Sequence, residues 1–594
     1  MTDRELARRT VKAGLIGGVT VVYLAAVGMI GDFNARNLIG DQVTLGRTLL
    51  ALPAFLAGFL VTRPRVRGGE IEVMAPRRAV LAGIGCGALV GGITIAAVAL
   101  VKVFSPNTVH DMWIAVTPAL LGIITFGQSL PVAAVILILA GAALGAIGAT
   151  LRMLPDKFRR PVSLGLMATF MAALLQRIIP TILIDLATKV GSGNPSLWSN
   201  WLYSTTFGGL TRIGAIVVFL AAAAVSVFWV RRGRSLRQRV ESLASESRRV
   251  VTGGVALALL AVLIVLPILA GTVVSLVLGT VGIFMLMGLG LNIVVGYAGL
   301  LDLGYVAFFA VGAYMTGVLT ATGNSGSSLH PQLPFFAAVP LVMLFAAFTG
   351  VLIGAPVLRL RGDYLAIVTL GFGEIARVLV VSDLLKKQLG GSLGLYHIPQ
   401  HFIGVGFNDP ERFFYLVAFF VLLAIFVTYR LSRSRIGRAW NAMREDEQVA
   451  EAMGISTVKY KLLAFAMGAA IGCLSGALFS VQIGSLEPLG FNIVVSITAL
   501  AVIILGGMGS IPGVIVGALV LIGIPNLLDE FEAYRLLIYG AVLVGIMILR
   551  PQGLIPNVRR SRELQEEEVD QDSWARRTGD ASVEATIALG GPGE

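Results

Sequence analysis

Four polar side chains interrupt long apolar stretches in the second half of the chain. Asn292 and Asp302 lie in one such stretch, and Glu374 and Arg377 lie in another. A charged group at membrane depth is costly, and it often marks a path for a substrate, an ion or a proton. Glu374 and Arg377 stand three residues apart, so on a helix they share a face and can neutralise each other. All four are candidates for a translocation path or for helix packing, and Asp302 can also cap a turn at a helix end in the headgroup region.

A charged island, residues 430–461 (RLSRSRIGRAWNAMREDEQVAEAMGISTVKYK), separates the apolar runs 413–428 and 462–481. Its centre, Trp440–Met453, predicts one short amphipathic surface helix that Gly454 ends. Such a helix between two membrane spans suits docking to a soluble partner, and an ordinary cytoplasmic loop fits the spacing equally well. The predicted apolar side consists of Trp440, Met443, Val449 and Met453, and the polar side of Arg444, Glu445, Asp446 and Glu447.

Other chemistry has little support in the sequence. Cys86 and Cys473 lie far apart in apolar runs, which predicts buried thiols rather than a disulfide. His397 and His401 are four residues apart, but Pro399 between them argues against a helical metal site. We therefore expect no metal, no cofactor and no catalytic residue.

Two glycine-rich segments predict breaks or close packing of helices. The first, residues 288–314, surrounds Asn292 and Asp302 with dispersed glycines. The second, Gly506–Gly517 (GGMGSIPGVIVG), predicts a tight turn between two apolar runs. It is not a phosphate-binding loop, because the GxxxxGK[ST] lysine is missing. Any ATP-driven work would therefore need a partner.

Composition indicates an all-α, polytopic helical membrane protein. Of 594 residues, 56% are hydrophobic and only 13% are charged, against about 25% charged in soluble proteins. The mean hydropathy is +0.85. The net charge of +12 comes from arginines in short loops, where they set membrane orientation, and does not indicate a nucleic-acid partner.

The basic loops predict a plasma (inner) membrane protein with about 16 spans and both termini in the cytoplasm. Residues 113–128 are apolar, but another crossing there would place Arg152–Arg160 outside, so a re-entrant or interfacial helix is preferred. The basic clusters assigned to the cytoplasm are Arg4–Lys12, Arg63–Arg78, Arg152–Arg160, Arg231–Arg249, Arg430–Arg444 and Arg550–Arg562. The predicted spans lie near 12–30, 43–62, 79–101, 130–151, 163–186, 211–230, 252–270, 273–295, 299–321, 335–358, 364–381, 413–430, 460–482, 491–507, 513–528 and 536–549.

Composition also predicts the division of the chain. Residues 1–230 form an N-terminal membrane extension, and 231–251 form a basic cytoplasmic linker. A second membrane domain covers 252–557. Residues 558–594 are polar and acidic, which predicts a disordered cytoplasmic tail. The role of the extension stays open.

Four ordered motifs in the second domain resemble the LivM-type permeases of ABC importers for branched-chain amino acids. They are Gly299–Tyr314, Arg361–Arg377, the charged island and Gly506–Gly513 (GGMGSIPG). The resemblance covers about 255–557 and implies an importer permease fold. It also implies that the island is the loop that inserts into a groove on an ATPase, although Met453 stands where the general motif has alanine. The coupling residues implied in this way are Trp440, Met443, Arg444, Glu447, Glu451, Ala452 and Gly454.

The resemblance further implies alternating access driven by partners. These are a second, LivH-like permease, two cytoplasmic ATP-binding subunits and an extracytoplasmic substrate-binding protein, all acting in membrane lipid. A permease for urea or amides in the same family is one alternative substrate assignment. A stand-alone ion-coupled secondary transporter, using Asp302, Glu374 and Arg377, is another interpretation, as is a scaffold or receptor without transport. A membrane enzyme fits the residues least.

Overall fold

The computed structural model describes residues 3–63, 65–67, 70–72, 74–104, 113, 115–191, 193–204, 208–241, 245–322, 326–329, 331–357, 363–402, 405–550 and 552–556. The chain divides into two compact units, Met1–Val262 and Leu263–Glu594. The predicted tail, 558–594, and Arg361 at the start of its motif lie outside the described residues. The predicted domain boundaries remain predictions.

Helices dominate both units, as predicted. In the part of the chain that is described, ten helices are long and apolar enough to cross a membrane, or eleven with one bent pair. The predicted number of about 16 spans is not confirmed. Four shorter apolar helices are also present, Leu45–Val61, Val306–Thr320, Ile511–Leu527 and Arg535–Gly545.

The first unit is a bundle around two helices that touch along their backbones. Helix Pro76–Val103 packs on Leu130–Met153, and a Cβ added at Gly87 would overlap the carbonyl of Gly141. Small residues allow this close approach. In lipid the hydrophobic effect does not hold two helices together, so van der Waals contact between the two backbones stabilises the pair instead. The helices of this unit are Asp3–Ala26, Met29–Asp32, Phe33–Ala35 (3-10), Leu45–Val61, Pro76–Val103, Pro118–Ile124, Leu130–Met153, Asp156–Leu174, Ile178–Lys189, Leu197–Asn200 and Arg212–Glu241. Short antiparallel strand pairs join Asn37–Ile39 to Val43–Thr44 and Arg65–Arg67 to Glu70–Glu72.

Two segments of the first unit differ from a simple series of spans. The predicted span 163–186 is wrong as a single helix, because Asp156–Leu174 and Ile178–Lys189 meet at 78°. Pro180 explains the break, since it has no N–H and its ring would clash with the carbonyl of Gln176 in a continuous helix. In the segment 113–128, the helix Pro118–Ile124 has seven residues, about 10 Å, and is too short to cross.

The second unit is organised around the helix Thr457–Ile483. In the most apolar stretch of this helix, 72% of the residues are buried. It packs against Val306–Thr320 and Phe335–Val357. A Cβ at Gly312 would overlap the carbonyl of Cys473, and the Tyr305 hydroxyl donates to the Gly468 carbonyl at 2.6 Å. Both cysteines are buried and free, as predicted.

The second unit contains further helices. Helix Ser245–Leu291 is continuous except at Gly271 (φ 77°), where the sequence predicts a gap between two spans. The other helices of the unit are Asn292–Tyr297 (π), Val306–Thr320, Phe335–Val357, Asp363–Val381, Lys386–Leu389, Gly391–Leu393 (3-10), Pro410–Ser432, Arg435–Glu445, Glu447–Ala452, Thr457–Ile483, Pro488–Gly490 (3-10), Ile493–Gly506, Ile511–Ala518, Leu519–Gly523 (π), Ile524–Leu527, Asp529–Tyr534 (3-10) and Arg535–Leu549. Strands His401–Phe402 and Val405–Gly406 pair antiparallel.

Candidate functional site

The charged island folds as two short helices rather than the single helix that the sequence predicts. Arg435–Glu445 ends where Asp446 adopts an extended conformation (φ −152°, ψ 114°), and Glu447–Ala452 begins there. The Asp446 carboxylate accepts from the N–H groups of Gln448 and Val449 at 2.8 and 3.0 Å. In a continuous helix these two N–H groups would bond backbone carbonyls of the preceding turn. Because the Asp446 carboxylate accepts from them instead, it stabilises the start of a second helix at Glu447. The single-helix prediction is therefore wrong.

The first helix, Arg435–Glu445, is anchored to the membrane helices by buried side chains. Trp440 is fully buried, and its indole N–H donates to the Tyr460 carbonyl at 2.7 Å. Met443 is buried beside it. Arg444 donates to the Gly296 carbonyl at 2.7 Å. This helix therefore has fixed contacts with the membrane-embedded core.

A buried ion pair fixes the start of the second helix, Glu447–Ala452. The Lys461 ammonium lies 2.5 Å from the Glu447 carboxylate. The Lys461 side chain is 6% exposed and that of Glu447 is 30% exposed. Lys461 lies near the start of the helix Thr457–Ile483, so the pair joins the second short helix to that helix.

The second helix leaves an apolar surface uncovered. Val449 is 59% exposed and Met453 is 79% exposed. Glu451 and Ala452 beside them are also exposed. The sequence places Val449 and Met453 on one apolar side with Trp440 and Met443, which is wrong, because the break at Asp446 turns the second helix. We name Val449, Glu451, Ala452 and Met453 the exposed face.

Gly454 ends the second helix, as predicted. Its φ is +85°, a conformation that favours glycine, and its N–H donates to the Glu451 carbonyl at 2.9 Å. Ile455 then donates to the Ala450 carbonyl at 3.0 Å.

Asn292 lies fully buried in the π-helix Asn292–Tyr297. Its side-chain oxygen accepts from the Gly509 N–H at 2.8 Å, while its amide nitrogen has no hydrogen-bond partner. Gly509 belongs to the predicted glycine-rich turn. That turn is confirmed, because Ile493–Gly506 ends there and Ile511–Ala518 begins. Arg444 bonds Gly296 of the same π-helix, so the structure brings the island and Asn292 to one element.

Asp302 is 2% exposed and lies in the break between the π-helix and Val306–Thr320. Its carboxylate accepts from the Gly304 N–H at 2.9 Å. The adjacent Leu303 N–H donates to the Thr369 hydroxyl at 3.1 Å, and a Cβ at Gly304 would overlap the Thr369 carbonyl. The break is thus held against the helix Asp363–Val381.

Glu374 and Arg377 form the ion pair that their spacing predicts. The Arg377 Nε lies 2.9 Å from the Glu374 Oε2. Both side chains are partly exposed: Arg377 is 33% exposed and Glu374 is 41% exposed. The pair is internal to one helix. No hydrogen bond or ion pair found among the described residues joins it to Asn292 or Asp302.

Sequence reasoning missed the long-range partners. Lys461 and Tyr460 bond Glu447 and Trp440 from 14 and 20 positions away. Thr369 accepts from the N–H of Leu303, next to Asp302, from 66 positions away. At the start of the following helix, the Ser496 hydroxyl accepts from the Val306 N–H at 2.8 Å. One local signal was available, since an aspartate followed by Glu447 and Gln448 is typical of a helix start.

The described helices define a multi-pass, α-helical membrane protein. Residues 273–548 match the family described as "Branched-chain amino acid transport system / permease component".

Several curated relatives share this segment. The chain is 40% identical over 291 residues to the high-affinity branched-chain amino acid transport system permease protein LivM of Salmonella typhimurium and of Escherichia coli. The match covers 45% of this chain and 66% of each relative, slightly less than two thirds of their length. The permease protein LivH of Escherichia coli is 33% identical over 145 residues, 24% of this chain and 46% of that protein. No solved structure matches the chain significantly.

Proposed function

We propose that the chain is the transmembrane permease subunit of an ATP-driven importer for branched-chain amino acids. The observation that carries this proposal is the geometry of the charged island. Its first helix is fixed by Trp440 and Arg444, while its second helix presents Val449 and Met453 to solvent. Exposed apolar residues beside charged ones suit a protein interface. The family of residues 273–548 and the names of the LivM and LivH relatives support the substrate class and favour an importer over a stand-alone secondary transporter.

The partners follow from this proposal. Two cytoplasmic ATP-binding subunits would supply the energy, one of them seated on the exposed face. A second, LivH-like permease would complete the translocation path, and an extracytoplasmic binding protein would deliver the amino acid. We propose that the island lies in the cytoplasm, and its arginines and the other basic loops support the same location for both termini.

The mechanism we propose is alternating access transmitted through the anchored helix. Movement of an ATP-binding subunit would push the exposed face, and Arg444 would carry that displacement to Gly296. The π-helix then connects through Asn292 to the turn at Gly509. A π-helix is a weak point in a helix and frequently lies at a functional site, which suits a segment that must bend.

The polar candidates divide into two roles within this proposal. Asn292 and Asp302 bond backbone amides beside helix breaks, which supports positioning of those breaks rather than substrate binding. The Glu374–Arg377 pair remains a candidate for the path or for packing against a second permease.

Variants that separate ATP hydrolysis from amino-acid uptake test the proposal directly. The variants Glu451→Ala and Gly454→Val change the exposed face and its terminating residue, and Glu411→Ala, far from the island in sequence, is the control. We expect amino-acid uptake by the reconstituted importer to fall about tenfold or more, as loss of about 1.4 kcal/mol at an interface would cause. ATP hydrolysis should continue and membrane insertion should be unchanged. Normal uptake coupled to hydrolysis in both variants would contradict the assignment.

A further inference from the structure

An elongated groove of about 720 Å³ runs between two helices of the first unit, Asp3–Ala26 and Leu45–Val61. Aliphatic side chains form its walls along most of its length. Ile16 and Leu24 line it from the first helix, and Leu56 and Leu60 line it from the second. Ile16 and Leu60 are 60% and 57% exposed, so the groove is open at its surface.

Three cations gather at one end of this groove. Arg9 and Lys12 lie near the start of the first helix, and Arg63 follows the end of the second. Among the described residues none of the three forms an ion pair, and the groove lining contains no acidic side chain. Three positive charges at the mouth of an apolar groove are complementary to an anionic group that carries a hydrocarbon chain.

The length of the groove fits one leaflet of a bilayer. Lys12 and Leu24 are twelve residues apart, which corresponds to about 18 Å along the helix. Half of a hydrocarbon core is about 15 Å. The aliphatic walls therefore extend through one leaflet, while Arg9, Lys12 and Arg63 reach the level of the headgroups.

We propose that this groove binds an anionic phospholipid, with its phosphate on Arg9, Lys12 and Arg63 and one acyl chain between the two helices. Basic pockets between membrane helices on the cytoplasmic side bind anionic headgroups for the same reason. A zwitterionic lipid would fill the apolar groove, but its ammonium group would offset its phosphate and leave the net positive charge of the site uncompensated. A free phosphate would meet the cations and leave the walls exposed. The first unit is, on this inference, a lipid-binding module attached to the permease.

Lipid titration of the purified full-length chain tests the proposal. Phosphatidylglycerol and phosphatidylcholine of the same chain length are added to the delipidated protein in detergent, and bound lipid is measured by native mass spectrometry. The charge variant is R9Q/K12Q/R63Q. The matched control, R77Q/K157Q/R160Q, removes the same charge from the same unit outside the groove. Ala13→Phe keeps the cations and fills the groove beside them.

The unmodified protein should bind phosphatidylglycerol more tightly than phosphatidylcholine. The charge variant should lose affinity for phosphatidylglycerol by roughly 100-fold, as expected for three cations at a headgroup. The control should bind as the unmodified protein does, and Ala13→Phe should also bind weakly. Equal loss in the control, equal affinity for the two lipids, or full binding by Ala13→Phe would overturn the proposal. Binding of glycerol 3-phosphate as tight as that of the lipid would overturn it too. If the charge variant does not fold, the binding of Ala13→Phe and the relative affinities for phosphatidylglycerol and phosphatidylcholine test the proposal.

Discussion

Replacing Glu447 by glutamine leaves Lys461 as a buried, unpaired charge near the start of the helix Thr457–Ile483. The Lys461 side chain is 6% exposed, so solvent cannot compensate it. Breaking a buried pair typically costs about 3–5 kcal/mol. Glu447 is 30% exposed, which screens the pair in part, so we expect a loss of about 2–3 kcal/mol in the free energy of unfolding.

Thermal unfolding of the detergent-solubilised protein measures this loss. A destabilisation of that size corresponds to a decrease of about 2–4 °C in the melting temperature. Glu451→Gln makes the same chemical change in the same helix at an exposed position, so its melting temperature should be unchanged. Lys461→Met should cost less than Glu447→Gln, because the remaining Glu447 carboxylate can reach water.

The double variant Glu447→Gln/Lys461→Met gives the sharpest result. It removes both charges together, so no buried charge is left unpaired, and its stability should lie closer to the unmodified protein than that of Glu447→Gln. Additive losses in the double variant would refute the reasoning. So would a Glu447→Gln protein that melts at the same temperature as Glu451→Gln.

Two further perturbations test the packing that holds the island and the central helix. Trp440→Phe removes the indole donor to the Tyr460 carbonyl and should lower stability by about 1–3 kcal/mol, measured by the same unfolding assay. Gly312→Ala should be destabilising by about 1–3 kcal/mol or more, because its Cβ would overlap the Cys473 carbonyl. Gly371→Ala is the control for the second, since a Cβ there meets no atom within 4 Å and alanine favours a helix. A Gly371→Ala protein less stable than Gly312→Ala would contradict the packing argument.

Local sequence rules predicted the parts of the site that depend on neighbours in the chain. The Glu374–Arg377 pair follows from helical spacing alone, and Gly454 follows from the preference of a helix end for glycine. Apolar run length predicted the membrane class of the chain and most of its helices.

The rest depends on contacts between residues far apart in sequence. The amphipathic pattern of the island assigned Val449 and Met453 to the buried side, because it assumed a single helix through Asp446. The hydrogen bond from Gln448 N–H to the Asp446 carboxylate instead starts a second helix, and Val449 and Met453 of that segment are exposed. Likewise, nothing in the sequence of the charged island indicates that Lys461 pairs with Glu447 rather than with another acidic residue.

Affinity purification of the full-length protein from its native membrane, with mass spectrometry of the proteins that co-purify, tests the central claim most directly. The account predicts two P-loop ATP-binding subunits and a second permease. The same account predicts loss of the ATP-binding subunits when Val449 and Met453 are both replaced by aspartate. A protein that purifies alone and transports amino acids in liposomes, driven by an ion gradient, would contradict the account.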